Sequence, residues 1–281
     1  MNLLCSHLRA LSRVVALCAF TAFFYLLWAS IMPLLVRSQK FSYWWRNLNF
    51  RTWAKVASAL LGMQIEANGT PPQSPFFLVS NHLSYMDVVA FASRLDCVFV
   101  AKSEVANWPV LGMLCRSMGT IFVDRSSRLD VLRVNRLIKT ALESGKSILL
   151  FPEGTSTPGS DVLPFHSALL EAPVQQVFPV SFATVSYRTP IGQPQAHLSV
   201  CWWGEMSFLP HFYRLLQLRS VDATLVFGSY SIRADDRKVL ARNLWQAVKA
   251  ELIPVVQHEF PAEHRPPNLS LRGLSRVRTT L

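Results

Sequence analysis

Residues 14–36 contain no charged side chain, an unbroken run of 23 residues. A helix needs about 20 such residues to cross the hydrocarbon core of a bilayer. A cleavable signal peptide is the competing interpretation, but its apolar core usually has only about 7–15 residues. The run therefore predicts an N-terminal membrane-anchoring helix and leaves the rest of the chain to form the folded domain.

Basic residues flank this run unequally. Arg9 and Arg13 precede it, and five lysines and arginines follow it between residues 37 and 55. Because loops rich in lysine and arginine stay on the cytoplasmic side, a spanning helix would leave the rest of the chain in the cytoplasm. The predicted location is the cytoplasmic (inner) membrane, with the folded domain facing the cytoplasm.

A second segment, residues 41–63, mixes aromatic and basic side chains, including Tyr43, Trp44 and Trp45. Aromatic rings lie at the depth of lipid head groups while cations meet lipid phosphates, so this segment predicts an interfacial helix. Together with the apolar run it forms a predicted membrane anchor over residues 1–65. Two arrangements of this anchor remain open: a spanning helix, or a hairpin that enters one leaflet.

The pattern after the anchor alternates between strands and helices. Such alternation indicates an α/β fold, here a single layered domain over residues 66–261 with a mixed, largely parallel sheet flanked by helices. The predicted strands are residues 76–80, 97–101, 120–123, 147–151, 178–185, 197–203 and 223–227. The predicted helices are residues 85–94, 110–118, 129–144 and 236–251.

The formal net charge of +11 is unevenly distributed. Residues 1–75 carry +6, residues 76–261 carry +2 and residues 262–281 carry +3. A nucleic-acid-binding protein of this charge would concentrate it on the folded domain, usually with a recognisable motif, and this chain has none. The charge therefore indicates membrane lipids rather than nucleic acid as partners, and residues 262–281 are predicted to be a basic, flexible tail.

No cofactor is expected from the sequence, which contains neither a metal-ligand spacing nor a glycine-rich nucleotide loop. The five cysteines are odd in number and lie mostly among apolar residues. This usage is typical of buried thiols in a reducing compartment rather than of a disulfide framework.

The segment NHLSYMD, residues 81–87, places His82 five residues before Asp87. On one continuous helix these side chains would diverge by about 140°, so His82 is expected in a loop. Ser84 would then be the N-cap of a helix that carries Asp87 in its first turn. The carboxylate can bond one imidazole nitrogen and leave the other free to take a proton from a hydroxyl group.

Other interpretations of this segment remain open. Ser84 and Asp87 can form a simple capping box beside an ordinary loop histidine, because short motifs recur by chance. His82 and Asp87 can also ligate a metal, although the sequence lacks a third clustered ligand.

Three further segments follow in order: GTIFVDR (119–125), FPEGTS (151–156) and VFPVSF (177–182). The first is a predicted strand that ends in a charged pair, the second follows a predicted strand, and the third is a strand interrupted by proline. Ligands of α/β sheets bind beyond the strand ends. The four segments can therefore contribute to one site.

Together these segments resemble the motifs of the glycerolipid acyltransferase family, typified by bacterial 1-acylglycerol-3-phosphate acyltransferase. NHLSYMD is similar to its His-x4-Asp motif, and the other three segments are similar to the motifs that follow. The resemblance covers roughly residues 76–182, and four ordered motifs are far more specific than any one alone. It implies a membrane-bound O-acyltransferase.

The resemblance also implies a mechanism. His82 is the general base that deprotonates the free hydroxyl of a lysophospholipid, which attacks the thioester of acyl-CoA or acyl carrier protein. Asp87 orients His82 and stabilises the imidazolium. Ser84 is a poor nucleophile candidate because it is expected to cap the helix, and no acyl-enzyme is implied.

Substrate-binding residues follow from the same resemblance. Arg125 is expected to hold a phosphate, with Lys102 as a weaker candidate for the same anion. Glu153 with Gly154 is expected to bind the glycerol hydroxyls or to shape the floor of the site. Thr155, in the same motif, is included among the substrate-binding residues.

One segment departs from the family pattern. The family often continues its Pro-Phe pair with lysine and glycine, whereas Pro164-Phe165 is followed here by His166, Ser167 and Ala168. The expected reaction makes phosphatidic acid from lysophosphatidic acid, and the departure leaves another acceptor, such as a lyso-ornithine lipid, as the alternative. A non-catalytic lipid-binding protein and a hydrolase are the alternatives from other classes.

Overall fold

The computed structural model of the protein describes residues 3–35 and 37–256. Its strands are β1 (Met63–Asn68), β2 (Phe77–Ser80), β3 (Val98–Lys102), β4 (Ile121–Val123), β5 (Ile148–Leu150), β6 (Val180–Arg188) and β7 (Val221–Ile232). The helices of this part of the chain are α1 (Leu3–Leu35), α2 (Gln39–Leu60), α3 (Met86–Ala92), α4 (Leu111–Ser117), α5 (Arg128–Glu143), α6 (Glu171–Gln175), α7 (Ala196–Ser199), α8 (Phe208–Gln217) and α9 (Arg237–Glu251).

The strands form one seven-stranded sheet in the order β1-β7-β6-β2-β5-β3-β4. Strands β4, β3, β5, β2 and β6 run parallel to one another, whereas β7 pairs antiparallel to β6 and carries β1 with it. The predicted mixed, largely parallel α/β sheet is therefore confirmed. The carboxyl ends of the five parallel strands lie along one edge of the sheet, which we call the carboxyl edge.

Both faces of the sheet are covered. On β2, Phe77 and Val79 pack in a cluster with side chains of α5 and α9, whereas Leu78 packs in a second cluster with α2, α3 and α8. Successive strand residues point to opposite faces, so a central strand between two helical layers must be apolar throughout. All three of these side chains are fully buried.

The strand predicted at residues 197–203 is wrong. The chain forms the short helix α7 there and then continues as a loop. Ser199 Oγ donates to the Gln195 carbonyl and the Cys201 amide donates to the Ala196 carbonyl, so local bonds replace a strand ladder. The apolar side chains that suggested a strand are instead used in packing, and Cys201 is fully buried.

Three elements, β1, α6 and α8, were not predicted from the sequence. Strand β1 is an edge strand directly after α2, so the boundary expected between residues 65 and 66 falls within it. Helix α8 contains Pro210, and a proline in the first turn of a helix leaves no intrahelical bond unmade.

Helix α2 is more deeply integrated than the predicted interfacial helix. Phe50, Ala54 and Ala57 are buried in the domain core. Near the start of α2, Tyr43 accepts a hydrogen bond from the Ser147 amide at 3.3 Å. Trp44 remains 56% exposed. One face of α2 is therefore part of the domain, and only the other retains the exposed aromatic character that was expected.

Helices α1 and α2 pack against each other as a hairpin. Trp53 Nε1 donates to Thr21 Oγ1 at 3.1 Å across it. The beginning of α1 then continues past α2 to the end of α8, where Arg13 Nη1 donates to the Leu218 carbonyl at 2.6 Å and Arg9 Nη1 donates to the Gln217 carbonyl at 2.7 Å. Cations at a helix C-terminus satisfy its free carbonyls and its dipole.

These contacts bear on the two arrangements of the anchor. Within the described residues, α1 is long and apolar enough to cross a membrane, and its apolar window is not buried by the protein. However, both ends of the hairpin lie against the same domain. The structure therefore favours a hairpin, and the charge asymmetry no longer determines on which side the domain lies, because that argument assumed a spanning helix. The predicted tail, residues 262–281, lies outside the described residues.

An epitope tag fused to the amino terminus is expected to lie on the same side of the membrane as the domain, because Arg9 and Arg13 hold the start of α1 against α8. We expect protease to remove the tag and digest the domain in the same preparation, either intact spheroplasts or inverted vesicles. A tag that survives where the domain is digested would contradict the hairpin.

Candidate active site

The site begins where β2 ends at the carboxyl edge. Asn81 follows β2, and its side chain replaces a backbone group in the sheet: Nδ2 donates to the Val185 carbonyl at 2.9 Å, and Oδ1 accepts from the Val185 amide at 2.8 Å. This pair extends the contact between β2 and β6 by one residue while the main chain turns away. The next residue, His82, is thereby fixed at the sheet edge.

His82 and Asp87 form the predicted pair. The His82 Nδ1–H donates to Asp87 Oδ2 at 2.7 Å, and the Leu83 amide donates to the same oxygen at 2.7 Å. Asp87 lies in the first turn of α3 and is fully buried. A buried carboxylate is tolerated because hydrogen-bond donors and the helix N-terminus replace its hydration. These bonds fix both the plane and the tautomer of the imidazole.

Tyr187 is a partner of Asp87 that no motif in the sequence indicated. Its hydroxyl donates to Asp87 Oδ1 at 2.7 Å from a position 100 residues further along the chain, on β6. Burial and the neighbouring carboxylate raise the pKa of Tyr187 well above its ordinary value, so the phenol keeps its proton and remains a donor. Only the pairing of β6 with β2 brings the two residues together, although Tyr187 continues the fourth motif strand.

The remaining nitrogen of His82 is free. The imidazole stacks on Phe151 with 4.3 Å between ring centroids and 16° between ring planes. The side chain is 24% exposed, and among the described residues Nε2 has no hydrogen-bond partner. An oriented, partly exposed imidazole with one free nitrogen is suited to accept a proton from a bound hydroxyl group.

Glu153 holds the main chain of His82. Its Oε1 accepts from the His82 amide at 2.7 Å and its Oε2 accepts from the Leu163 amide at 2.8 Å. The side chain is only 2% exposed. Of the two roles expected for Glu153, this geometry favours shaping the floor over contact with substrate hydroxyls. Burial raises its pKa to about 7, against the opposing effect of the two amide donors.

Arg125, Gly154 and His166 meet in a cleft at the carboxyl edge. A Cβ atom at Gly154 would lie 2.5 Å from Arg125 Nη1 and 2.9 Å from His166 Cδ2, and Gly154 has a φ of +79°. The backbone conformation therefore favours glycine, and a side chain at this position would also displace the Arg125 guanidinium and the His166 ring. Phe151 and Pro152 also line this cleft of about 220 Å³, so it reaches the ring on which His82 stacks.

Lys102 and Thr155 lie at the periphery. Thr155 is exposed. Lys102 is 63% exposed and forms an ion pair with Glu104 at 2.6 Å. Glu104 also lies close enough to Arg125 to raise its pKa, although burial lowers it more. Lys102 would thus have to leave Glu104 before it could bind an anion beside Arg125.

Ser84 does not cap α3 as predicted. The N-cap position is Tyr85, without a side-chain capping bond, and the Ser84 amide instead donates to Asp87 Oδ2 at 3.1 Å. Asp87 already provides the acceptor that a capping side chain would supply. Ser84 Oγ is buried and has no hydrogen-bond partner among the described residues. In that same part of the chain, no cluster of three His, Cys, Asp or Glu side chains could hold a metal ion.

Comparisons with known proteins show the family. Residues 64–188 match the family model described as Acyltransferase. The chain is 31% identical to a lyso-ornithine lipid O-acyltransferase of Brucella abortus, over 79% of this chain and 88% of that protein. The chain therefore belongs to the acyltransferase family.

Two further comparisons find similar proteins that are named for acylglycerol phosphate. A 1-acyl-sn-glycerol-3-phosphate acyltransferase of Neisseria gonorrhoeae is 26% identical, over 73% of this chain and 81% of that protein. The crystal structure of the 1-acyl-sn-glycerophosphate acyltransferase PlsC from Thermotoga maritima covers 85% of this chain and 97% of its own, with a TM-score of 0.55 and 18% identity. The latter shows a shared fold. The protein is an acyltransferase related to enzymes that act on lyso-lipids.

Replacing Tyr187 with Phe is expected to lower the free energy of unfolding by about 1–3 kcal/mol, because Asp87 Oδ1 would remain buried without its donor. Thermal unfolding in detergent micelles measures the loss. Tyr230→Phe is the matched control, since Tyr230 is 58% exposed and its hydroxyl has no hydrogen bond within the described residues. Equal changes in the two variants would show that the Tyr187–Asp87 bond adds no stability.

Glu153 is expected to make stability depend on pH. Its folded pKa of about 7 exceeds the ordinary value of 4.5, so the folded state binds the extra proton between these values and loses stability as pH rises through them. Glu153→Gln cannot titrate. The stability difference between wild type and variant should therefore shrink from pH 4.5 to pH 7. Melting temperatures of wild type and variant that change with pH in parallel across this range would contradict the assignment. The exposed Glu205→Gln serves as control.

Proposed function

We propose that this protein transfers an acyl group from a thioester donor to the free hydroxyl of a lyso-lipid, with His82 as the general base. The observation that carries the proposal is the His82–Asp87 pair, in which Nδ1 is bonded to a buried carboxylate and Nε2 is free at the carboxyl edge. In this arrangement Nε2 can accept a proton from the acceptor hydroxyl, which is the proton transfer that the reaction needs.

In the proposed reaction, Nε2 takes the hydroxyl proton as the acceptor oxygen attacks the thioester carbonyl. The Asp87 carboxylate stabilises the imidazolium that forms. When the tetrahedral species collapses, the carbon–sulfur bond breaks and the leaving thiolate receives the proton from Nε2. An ester and a free thiol are produced, and His82 returns to its starting state.

A direct transfer is supported by the surroundings of the nearest hydroxyl group. Ser84 belongs to the loop that carries His82 and is fully buried, and its Oγ has no hydrogen-bond partner among the described residues. An acyl group on Ser84 would require that loop to open. Tyr187 and Glu153 act as positioning residues in this proposal, since they bond to Asp87 and to the His82 backbone rather than to substrate.

As the acceptor of the acyl group, we propose a lyso-ornithine lipid as the first candidate. The relatives of Brucella abortus and Pseudomonas aeruginosa with that activity in their names are 31% and 32% identical, against 26% for the Neisseria gonorrhoeae enzyme named for acylglycerol phosphate. An ornithine head group carries one carboxylate and one ammonium. Arg125 and the neighbouring Glu104 would offer one partner to each.

Lysophosphatidic acid is the second candidate acceptor. Its phosphate suits Arg125 and Lys102, the two cations that flank Glu104. The donor is acyl-CoA or acyl carrier protein, and no cofactor takes part in the proposed reaction. We further propose that residues 1–65 and the exposed apolar face of α1 hold the enzyme at the cytoplasmic membrane, so that the acceptor is drawn from the bilayer.

Membranes carrying wild-type protein are expected to transfer a labelled acyl group to lyso-ornithine lipid, and His82→Ala should lower the rate about 10²–10⁴-fold. Asp87→Asn should also lower it strongly, because the amide presents a donor to Nδ1–H. The same membranes assayed with lysophosphatidic acid rank the two acceptors. His197→Ala is the matched control, because the His197 side chain makes no hydrogen bond within the described residues.

The outcomes separate the alternatives. Transfer to lysophosphatidic acid alone would assign that acceptor instead. Release of free fatty acid without an acceptor would indicate a hydrolase, and no consumption of the thioester with any acceptor would indicate a lipid-binding protein. Full activity in His82→Ala would overturn the proposed mechanism.

A further inference from the structure

The outer surface of α5 combines leucines with unpaired arginines. Leu129 is 79% exposed and Leu132 is 47% exposed. Arg128 and Arg136 are also exposed, and within the described part of the chain neither forms a hydrogen bond or an ion pair. These four residues recur at helical spacing along one side of α5. We call this surface the α5 face.

Other charges on α5 are already engaged. Arg133 Nε donates to Asp130 Oδ1 at 2.6 Å, and Lys139 lies 4.0 Å from Glu143. Because those acidic residues are paired, the unpaired charge on the face is positive. Exposed leucines between free arginines leave apolar area in water, and a partner with acidic and apolar groups would complement both.

The α5 face borders a cleft of about 410 Å³ between α5, α6 and the first turn of α9. Arg128 and Leu132 line it from α5, and Arg237 lines it from α9, where it lies 3.6 Å from Glu171. The α5 face and this cleft therefore form one basic and apolar region.

This region leads toward the candidate active site. Val131 and Ala168 line both the 410 Å³ cleft and the 220 Å³ cleft that holds Arg125 and His166. Phe151, on which the His82 ring stacks, lines the second cleft. The two adjoining clefts thus extend from the α5 face to the wall of the site.

The position in the fold also separates this region from the lipid. Helices α5 and α9 cover one face of the sheet, whereas α1, α2 and α8 belong to the opposite layer. The long apolar helix is therefore on the far side of the sheet. A partner at the α5 face would approach from water while the lipid acceptor arrives from the membrane.

We propose that the α5 face docks an acidic acyl carrier protein, whose thioester-bearing arm reaches His82 along the two clefts. This inference rests on the proposed function, because it names the donor used by the same site. A folded partner explains the exposed leucines and the spread of charge over more than two helical turns, about 12 Å from Arg128 to Arg136. A free nucleotide explains them less well, since no aromatic ring lines the 410 Å³ cleft.

The test compares donors that carry the same acyl chain. The double variant Arg128→Glu/Arg136→Glu should lower kcat/KM with acyl carrier protein at least about tenfold relative to kcat/KM with acyl-CoA. Raising the salt concentration should weaken use of the carrier protein by wild type more than by the variant. Arg219→Glu, with the same charge change at an exposed arginine of the opposite layer, is the control.

A second variant tests the same face in case the double variant misfolds. Leu129→Ala removes a side chain that is 79% exposed and is expected to lower use of the carrier protein in the same direction. An unchanged ratio between the two donors in both variants would overturn the docking proposal. An equal loss with both donors would overturn it as well, because the face would then not distinguish the carrier protein from acyl-CoA.

A direct binding measurement tests the docking proposal independently of the proposed function. Titration of the detergent-solubilised full-length protein with fluorescently labelled acyl carrier protein should give saturable binding that Arg128→Glu/Arg136→Glu weakens at least about tenfold. Binding with this behaviour but no acyl transfer would leave the docking face standing and overturn the proposed function. Transfer from the carrier protein with equal binding by wild type and variant would overturn the docking proposal and leave the proposed function standing.

Discussion

The buried carboxylate of Asp87 organises the candidate site. It accepts hydrogen bonds from the imidazole of His82, from two main-chain amides of the loop that follows and from the hydroxyl of Tyr187. A charge in this position is costly unless each lone pair finds a donor. Satisfying it therefore ties the loop after β2, the first turn of α3 and the end of β6 into one unit. The orientation of the imidazole follows from that requirement.

The loop around His82 is fixed from the main chain as well. Glu153 accepts from the His82 amide, and the Thr157 amide donates to the His82 carbonyl at 3.0 Å. Asn81 bonds to β6 on one side of the histidine and Asp87 holds the loop on the other. Rigid support of this kind would keep the proposed general base within reach of its proton without reorganisation during the reaction.

The two helical layers have different surfaces, and this difference matters for a reaction between a lipid and a thioester. One layer contains the hairpin of α1 and α2, whose outer apolar residues have no protein partner among the described residues. The other contains α5, with leucines and arginines on its outer side. The central sheet separates them, so substrates of unlike solubility can approach one site from different sides.

The sequence by itself determined the positions of four central and neighbouring strands and the pairing of His82 with Asp87 at the sheet edge. Apolar runs placed β2, β3, β4 and β5 to within a residue or two, and the spacing of His82 and Asp87 required a loop before a helix. These are local consequences of periodicity and steric geometry. The sequence did not reveal Tyr187 as a partner of Asp87, the inward turn of Glu153 or the packing of α1 on α8. Those contacts join residues far apart in the chain, and only strand order, register and burial decide which distant groups meet. The strand predicted at residues 197–203 was wrong because apolar side chains indicate burial and do not specify a strand.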